Sequence, residues 1–112
     1  MAETFDRAAV KLTTTNPTEI LQAPTTSANS RAIVLSCIAA NVNTTNAVEF
    51  TLTIASSTGT EISKIGQNIV IPPKASVEFI VNKQVLLQGE KLVGTATIAN
   101  YVDVNASVLK LD

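Results

Sequence analysis

The sequence predicts an all-β fold: a single antiparallel β-sandwich, jelly-roll-like, of about eight strands behind a short N-terminal arm. Three observations predict it. Apolar and polar residues alternate with period two along most of the chain, the pattern of strands with one buried and one wet face. Clusters of Gly, Pro, Asn, Ser and Thr interrupt that alternation at short intervals, as turns do. No stretch carries the 3.6-residue period of a helix over three turns. A chain of 112 residues is one domain, 1–112, with one core.

The elements follow in order. Met1 to Arg7 reads as an extended arm without apolar alternation. Ala8, Val10 and Leu12 alternate with Lys11 and Thr13 in a first strand, which Thr14-Thr15-Asn16-Pro17 ends. A short strand at Thr18–Gln22 and a polar turn at Ala23–Asn29 lead to Arg31–Asn41, the most apolar segment. Val48, Phe50, Leu52 and Ile54 alternate with Glu49, Thr51 and Thr53, and Ser56-Ser57-Thr58-Gly59 turns the chain into Glu61–Ile65. Ile69-Val70-Ile71 ends at the rigid corner Pro72-Pro73. Val77, Phe79 and Val81 form the next strand, with Glu78 outward, followed by the short Val85-Leu86-Leu87 and the turn Gln88–Lys91. Leu92, Gly94, Ala96 and Ile98 alternate with Thr95 and Thr97, and a last strand, Val102–Leu111, sets Val102, Val104, Ala106 and Val108 on one face. The expected core is Val34, Ile38, Phe50, Leu52, Ile54, Val77, Phe79, Leu92, Ile98, Val104 and Val108.

What the chain lacks narrows its chemistry. It has no histidine, no tryptophan and one cysteine, while acid–base, nucleophilic and transition-metal chemistry draws on clusters of such groups. Glu61 and Glu78 sit on separate strands beside Ser or Thr and read as surface charge; Glu3 and Asp6 lie in the arm. Asp103 and Asn105 share a strand face, with Asn100 before them, but no Asp-rich loop accompanies them as a calcium site requires. Cys37 reads as a small buried hydrophobe. Ser36 and Ser107 lie outside any G-x-S-x-G context, and Lys64 and Lys74 are lone charges with no phosphate-binding glycine loop. Tyr101 reads as an aromatic cap over one end of the sandwich. These residues predict no enzyme, no cofactor and no metal.

A net charge of −1 provides no basic footprint for nucleic acid or for anionic lipid, and no apolar run approaches the length of a membrane span. The N-terminus has no apolar h-region, so synthesis in a cytoplasm is expected. Charged residues are only 15% of the chain and apolar residues 46%, a weakly solvated surface suited to packing against other proteins. Surplus apolar side chains appear where a two-sheet sandwich expects a wet face. Ile33 and Leu35 lie opposite the core-facing positions of their strand, Leu109 and Leu111 lie opposite Val104 and Val108, and Ile80 lies opposite Val77 and Phe79. A subunit interface through Ile33, Leu35, Ile80, Leu109 and Leu111 is the expectation.

Several patterns resemble one family. The opening Met1-Ala2-Glu3-Thr4-Phe5, the step Leu12-Thr13-Thr14-Thr15, and Ala39-Ala40-Asn41-Val42 at the end of an apolar strand all occur here. So do the alternating strand Val48–Ile54, the corner Ile71-Pro72-Pro73-Lys74-Ala75, the segment Val85–Leu92 with Val85 in place of the first Leu, and Val102–Leu109. Together the chain resembles the small β-sandwich virion structural proteins of tailed bacteriophages, notably marine and cyanobacterial ones. The resemblance implies a non-enzymatic virion protein, a head decoration (cement) protein first and a tail or fibre-base accessory protein second. It implies as partners further copies of itself, with a trimer favoured, and the major capsid protein or tail proteins of the same virion. A receptor- or carbohydrate-binding module is the alternative class, one that normally gathers several aromatics on one surface, whereas aromatics are 4% of this chain.

Overall fold

The alternating segments fold into two antiparallel sheets packed face to face. The computed structural model describes residues 3–112. Its strands are β1 (Glu3–Lys11), β2 (Thr18–Gln22), β3 (Arg31–Asn41), β4 (Val48–Ala55), β5 (Glu61–Ile71), β6 (Ser76–Glu78), β7 (Gln84–Leu86), β8 (Lys91–Ala96) and β9 (Val102–Leu111). No helix occurs among the described residues. One sheet has the order β1-β9-β3, with β6 and β7 lying end to end along the far edge of β3; the other has the order β2-β8-β4-β5. With β6 and β7 counted as two halves of one strand position, the chain occupies eight positions in jelly-roll order, changing sheets at nearly every connection.

The core is aliphatic, as a chain poor in aromatics requires. Val102, Val104, Ala106 and Val108 of β9 face Val48, Phe50, Leu52 and Ile54 of β4 across the sandwich, all of them buried. Phe50 meets Phe79 edge to face, with ring centroids 5.2 Å apart and planes at 61°. Gly94 makes room for that ring: a Cβ built there would stand 2.9 Å from both Phe50 Cζ and Ile20 Cδ1. Among the described residues two polar side chains are enclosed, Ser30 and Asn41. Asn41 Nδ2 donates to the carbonyls of Asn46 and Ile71, both at 3.0 Å, and its Oδ1 accepts from Asn43 N at 2.9 Å. It thereby ties the loop after β3 and the end of β5 to the end of β3, with both amide protons used.

Four expectations need correction. Residues 3–7 are not a free arm but the first half of β1, paired with β9 from Glu3↔Leu111 onward; Met1 and Ala2 lie outside the described residues. The pairing depends on the backbone of an edge strand that is wet on both faces at this end, so no apolar pattern announces it. Ile38 is exposed because β3 carries a bulge between Val34 and Ser36. The extra residue reverses the alternation, sending Cys37, Ala39 and Asn41 inward and Ile38 outward. Ile98 is also exposed, since β8 ends at Ala96 and the alternation runs on into a turn. Finally, β6 stops at Glu78, after which Ile80 turns into the core and Val81 stands 89% exposed.

Candidate functional site

The outer face of the β1-β9-β3 sheet divides into an apolar half and a polar half. Phe5, Leu109, Ile33 and Val85 are successive partners across β1, β9, β3 and β7, forming one in-register apolar row. At strand spacing the row is about 14 Å long. Its ends are open, Phe5 76% and Val85 49% exposed, while Ile33 and Leu109 between them are half-buried. Leu111 lies beyond Leu109 on the same face, flanked by Glu3 and Arg31, and Leu35 adjoins the row at the bulge of β3. The bulge places both Leu35 and Ser36 toward this side, both half-buried, and so adds an apolar group the regular pleat would not provide. Beyond it the face becomes more polar: Arg7, Ser107 and Ser36 form one row, Ala9, Asn105 and the exposed Ile38 the next, and Lys11, Asp103 and Ala40 another, with Lys11 Nζ 2.7 Å from Asp103 Oδ1.

Of the interface residues expected from sequence, Ile33, Leu35, Leu109 and Leu111 gather on this half-face. Ile80 does not: it is 6% exposed and packs in the core, because the chain turns inward after Glu78. Phe5 and Val85 complete the row and were not legible as partners. Phe5 sits in a segment without alternation, and Val85 in a strand three residues long whose register only the fold defines.

The remaining candidate groups are scattered. Glu61 is on β5 of one sheet, paired with Lys64, and Glu78 on β6 of the other. Glu78 spends its carboxylate on the backbone: Oε2 accepts from Cys37 N at 2.7 Å and from Ile80 N at 3.1 Å. Burial, with the nearby Glu78 charge second, pushes the Cys37 thiol up to about 12. Asp6 is held below the ordinary carboxylate range by the Arg7 backbone N–H first and then by Lys110, whose ammonium lies 3.2 Å away. Tyr101 is half-buried against the core and its Oη accepts from Asn46 Nδ2. Among the described residues, no group of three His, Cys, Asp or Glu side chains converges as a metal site would. The opposite sheet carries a groove of about 310 Å³ floored by Thr51, Thr53 and Thr95 and walled by Lys64, Gln67 and Asn68 of β5.

No known protein family and no curated protein sequence matches the chain. Solved structures do share its fold. A chain of the acidic stable capsid of Helicobacter pylori bacteriophage KHP30 superposes with a TM-score of 0.55 at 13% identity, over 98% of this chain and 87% of that one. A subunit of the disulfide-linked pili that form Bacillus endospore appendages gives 0.54 at 16% identity, over 96% and 86%. A chain of the T13 IBDV viral particle gives 0.58 at 8% identity, where this chain covers only 30% of the larger protein. At such identities the likeness establishes the fold: a jelly-roll sandwich of a kind found in proteins that assemble into particles and fibres.

Proposed function

We propose that this chain is a non-enzymatic structural subunit of a virus particle, most specifically a head decoration protein of a tailed bacteriophage that clamps the capsid through repeated apolar contacts. The observation that carries the reading is the in-register row Phe5–Leu109–Ile33–Val85, with Leu35 and Leu111 beside it, on the outer face of a sheet whose partner sheet already fills the other side. Burying a fully exposed side chain of this kind contributes roughly 1.5–3 kcal/mol; Phe5 and Val85 gain most, and the half-buried Ile33, Leu35, Leu109 and Leu111 add less each, without any chemistry. Repetition on a symmetric lattice multiplies the effect. Support comes from the shared fold with the KHP30 capsid chain over nearly the full length of both. The reading takes a second copy as the first partner, in a trimer seated on capsid three-fold positions, and the major capsid protein as the next. A tail accessory protein uses the same surface, and copy number per particle separates the two. The fibre reading suggested by the disulfide-linked pili has less support, because Cys37, the sole cysteine, is buried and cannot form an intermolecular bridge from this fold.

The test is substitution of Leu35 or Leu111 by Asp. An unpaired charge at a buried contact costs several kcal/mol in the assembly and little in the separated subunit. Circular dichroism should therefore stay that of the wild type while sedimentation shows loss of association and particles lacking the protein no longer take it up. Variants that remain folded and bind such particles as the wild type does would remove the apolar half-face from the mechanism.

A further inference from the structure

The geometry points to β1, together with Leu12, as an exchangeable strand: in the assembled state it leaves its own β9 and completes the sheet of a second copy of this chain. This rests on the self-association proposed above and specifies its mechanism.

Four observations carry it. First, β1 is attached almost wholly through groups that any copy of β9 supplies equally. Its nine residues pair continuously with β9, from Glu3↔Leu111 to Lys11↔Asp103, and both of its ion pairs, Asp6–Lys110 and Lys11–Asp103, go to the same strand. Second, β1 contributes little to its own core, with only Ala8 and Val10 partly buried against it and every other residue of the strand exposed. Third, the strand ends in a plug. Leu12 is 0% exposed, its N–H donates to the Val102 carbonyl at 3.0 Å, and its carbonyl accepts from Asn100 N at 2.8 Å. The exchanged unit is thus a ladder with one deep anchor, which fixes register and specifies β9 as the acceptor. Fourth, the connection from Thr13 to Pro17 is exposed throughout, and the side-chain hydrogen bonds it makes are local: Asn16 N to Thr14 Oγ1 and Thr18 Oγ1 to the Asn16 carbonyl.

Straightened, those residues reach about 17 Å at ~3.3 Å each, enough to carry β1 off its own sheet toward a neighbour's. The closed and exchanged forms contain the same ladder, so hinge geometry and local concentration decide between them, and an assembly surface supplies the concentration. Exchange also removes the exposed edge that β9 would present if β1 simply detached. Phe5 and Arg7 travel with β1, so each copy would then build its outer face from two chains.

The experiment is a disulfide across the β1–β9 ladder. Ala9 and Asn105 are direct partners and both exposed, so Ala9→Cys/Asn105→Cys places two accessible thiols at cross-strand distance while Cys37 stays enclosed. The protein is oxidised in its dilute monomeric form and, separately, after association at high concentration, then run on a non-reducing gel. Exchange predicts links within one chain from the monomer and predominantly covalent dimers or higher species from the associated fraction. Links confined to single chains in the associated fraction would overturn exchange while leaving the proposed virion role standing. A protein that stays monomeric at every concentration overturns exchange as well, and the binding of particles that lack the protein then judges the virion role alone. Arg7→Cys/Ser107→Cys, two residues along the same ladder face, repeats the test should the first pair fold poorly.

Discussion

Glu78→Ala should destabilise this protein by more than an exposed surface residue ordinarily does. The far edge of β3 is covered at one end by β7, opposite Ala32–Val34, and at the other by β6, opposite Ile38–Ala40. The gap between them coincides with the bulge, where β3 loses its regular partner. Glu78 fills it: its Oε2 takes the Cys37 N–H at 2.7 Å and the Ile80 N–H at 3.1 Å, while Phe79 N donates to the Cys37 carbonyl at 2.8 Å. Cys37 is 0% exposed and Ile80 6%, so water has little access to either amide once the carboxylate is gone. A buried donor left without a partner costs about 1–3 kcal/mol, and two such donors give an expected loss of roughly 2–6 kcal/mol. Glu78→Gln retains an oxygen of the same reach without the charge. Because charge-assisted hydrogen bonds are roughly twice as strong as neutral ones, it should lose about half as much. Urea unfolding followed by far-UV circular dichroism measures both, with an unchanged m-value expected. If Glu78→Ala and Glu78→Gln both fall within about 0.5 kcal/mol of wild type, the range of ordinary surface substitutions, the carboxylate does not hold this gap.

Four further outcomes are expected. Cys37, its thiol pushed up to about 12 by burial, should resist a thiol reagent at pH 8 in the native protein and react fully in denaturant; rapid native labelling would contradict its enclosure. Because its folded pKa lies above the unfolded value, the unfolded state loses its proton first, and stability should fall as pH rises from about 9 toward 12. Asp6 has a folded pKa below its ordinary 3.8, so its contribution to holding β1 is complete above that value and is lost as pH falls through the depressed one. Amide protection factors in β1 should drop over that acid range in the wild type and much less in Asp6→Asn; equal profiles would show that Asp6 does not fasten the strand. Gly94→Ala would press a methyl group against Phe50 and Ile20 and should cost about 1–3 kcal/mol in chemical denaturation, whereas a neutral result would mean that the Phe50 ring shifts freely.

The parts of the fold legible in the sequence are those where one face of a strand is buried along its whole length. In β4 and β9 the alternation Val48-Phe50-Leu52-Ile54 and Val102-Val104-Ala106-Val108 maps directly onto buried positions. Legibility ended where register is decided by a partner strand. In β3 both faces are apolar, so nothing in the run Ile33–Ala40 marks where the bulge inverts inside and outside, and Ile38 could not be told from Cys37. In β5, expected as two short strands at Glu61–Ile65 and Ile69–Ile71, one continuous strand runs beside β4 through repeated register shifts, and its exposed side chains carry no core pattern to report that. The four outer-face residues of the site were visible as surplus apolar groups because a sandwich strand needs only one apolar side. Their alignment into a row with Phe5 and Val85 was not visible, since it depends on three separate registers.

The outer faces of the two sheets differ in what they present to a partner. The β2-β8-β4-β5 sheet presents Thr51, Thr53 and Thr95 outward in a concavity that Pro17, Ala55 and Val93 also line. The other sheet presents apolar side chains along one half, and along the remainder the Lys11–Asp103 ion pair, Arg7, Ser107, Ser36 and Asn105 together with the exposed Ile38, so an occupant must be apolar over the first and mixed over the second. In a trimer each contact is heterologous, so this half-face meets a different patch of the neighbouring copy. The same face is bounded on one side by β1, the strand held by ladder hydrogen bonds, two ion pairs and a single plug. Contact and exchange are therefore coupled. Phe5 reaches the row only while β1 is seated, so a copy that lends its β1 also lends a quarter of its neighbour's apolar row, and loss of the strand weakens both at once.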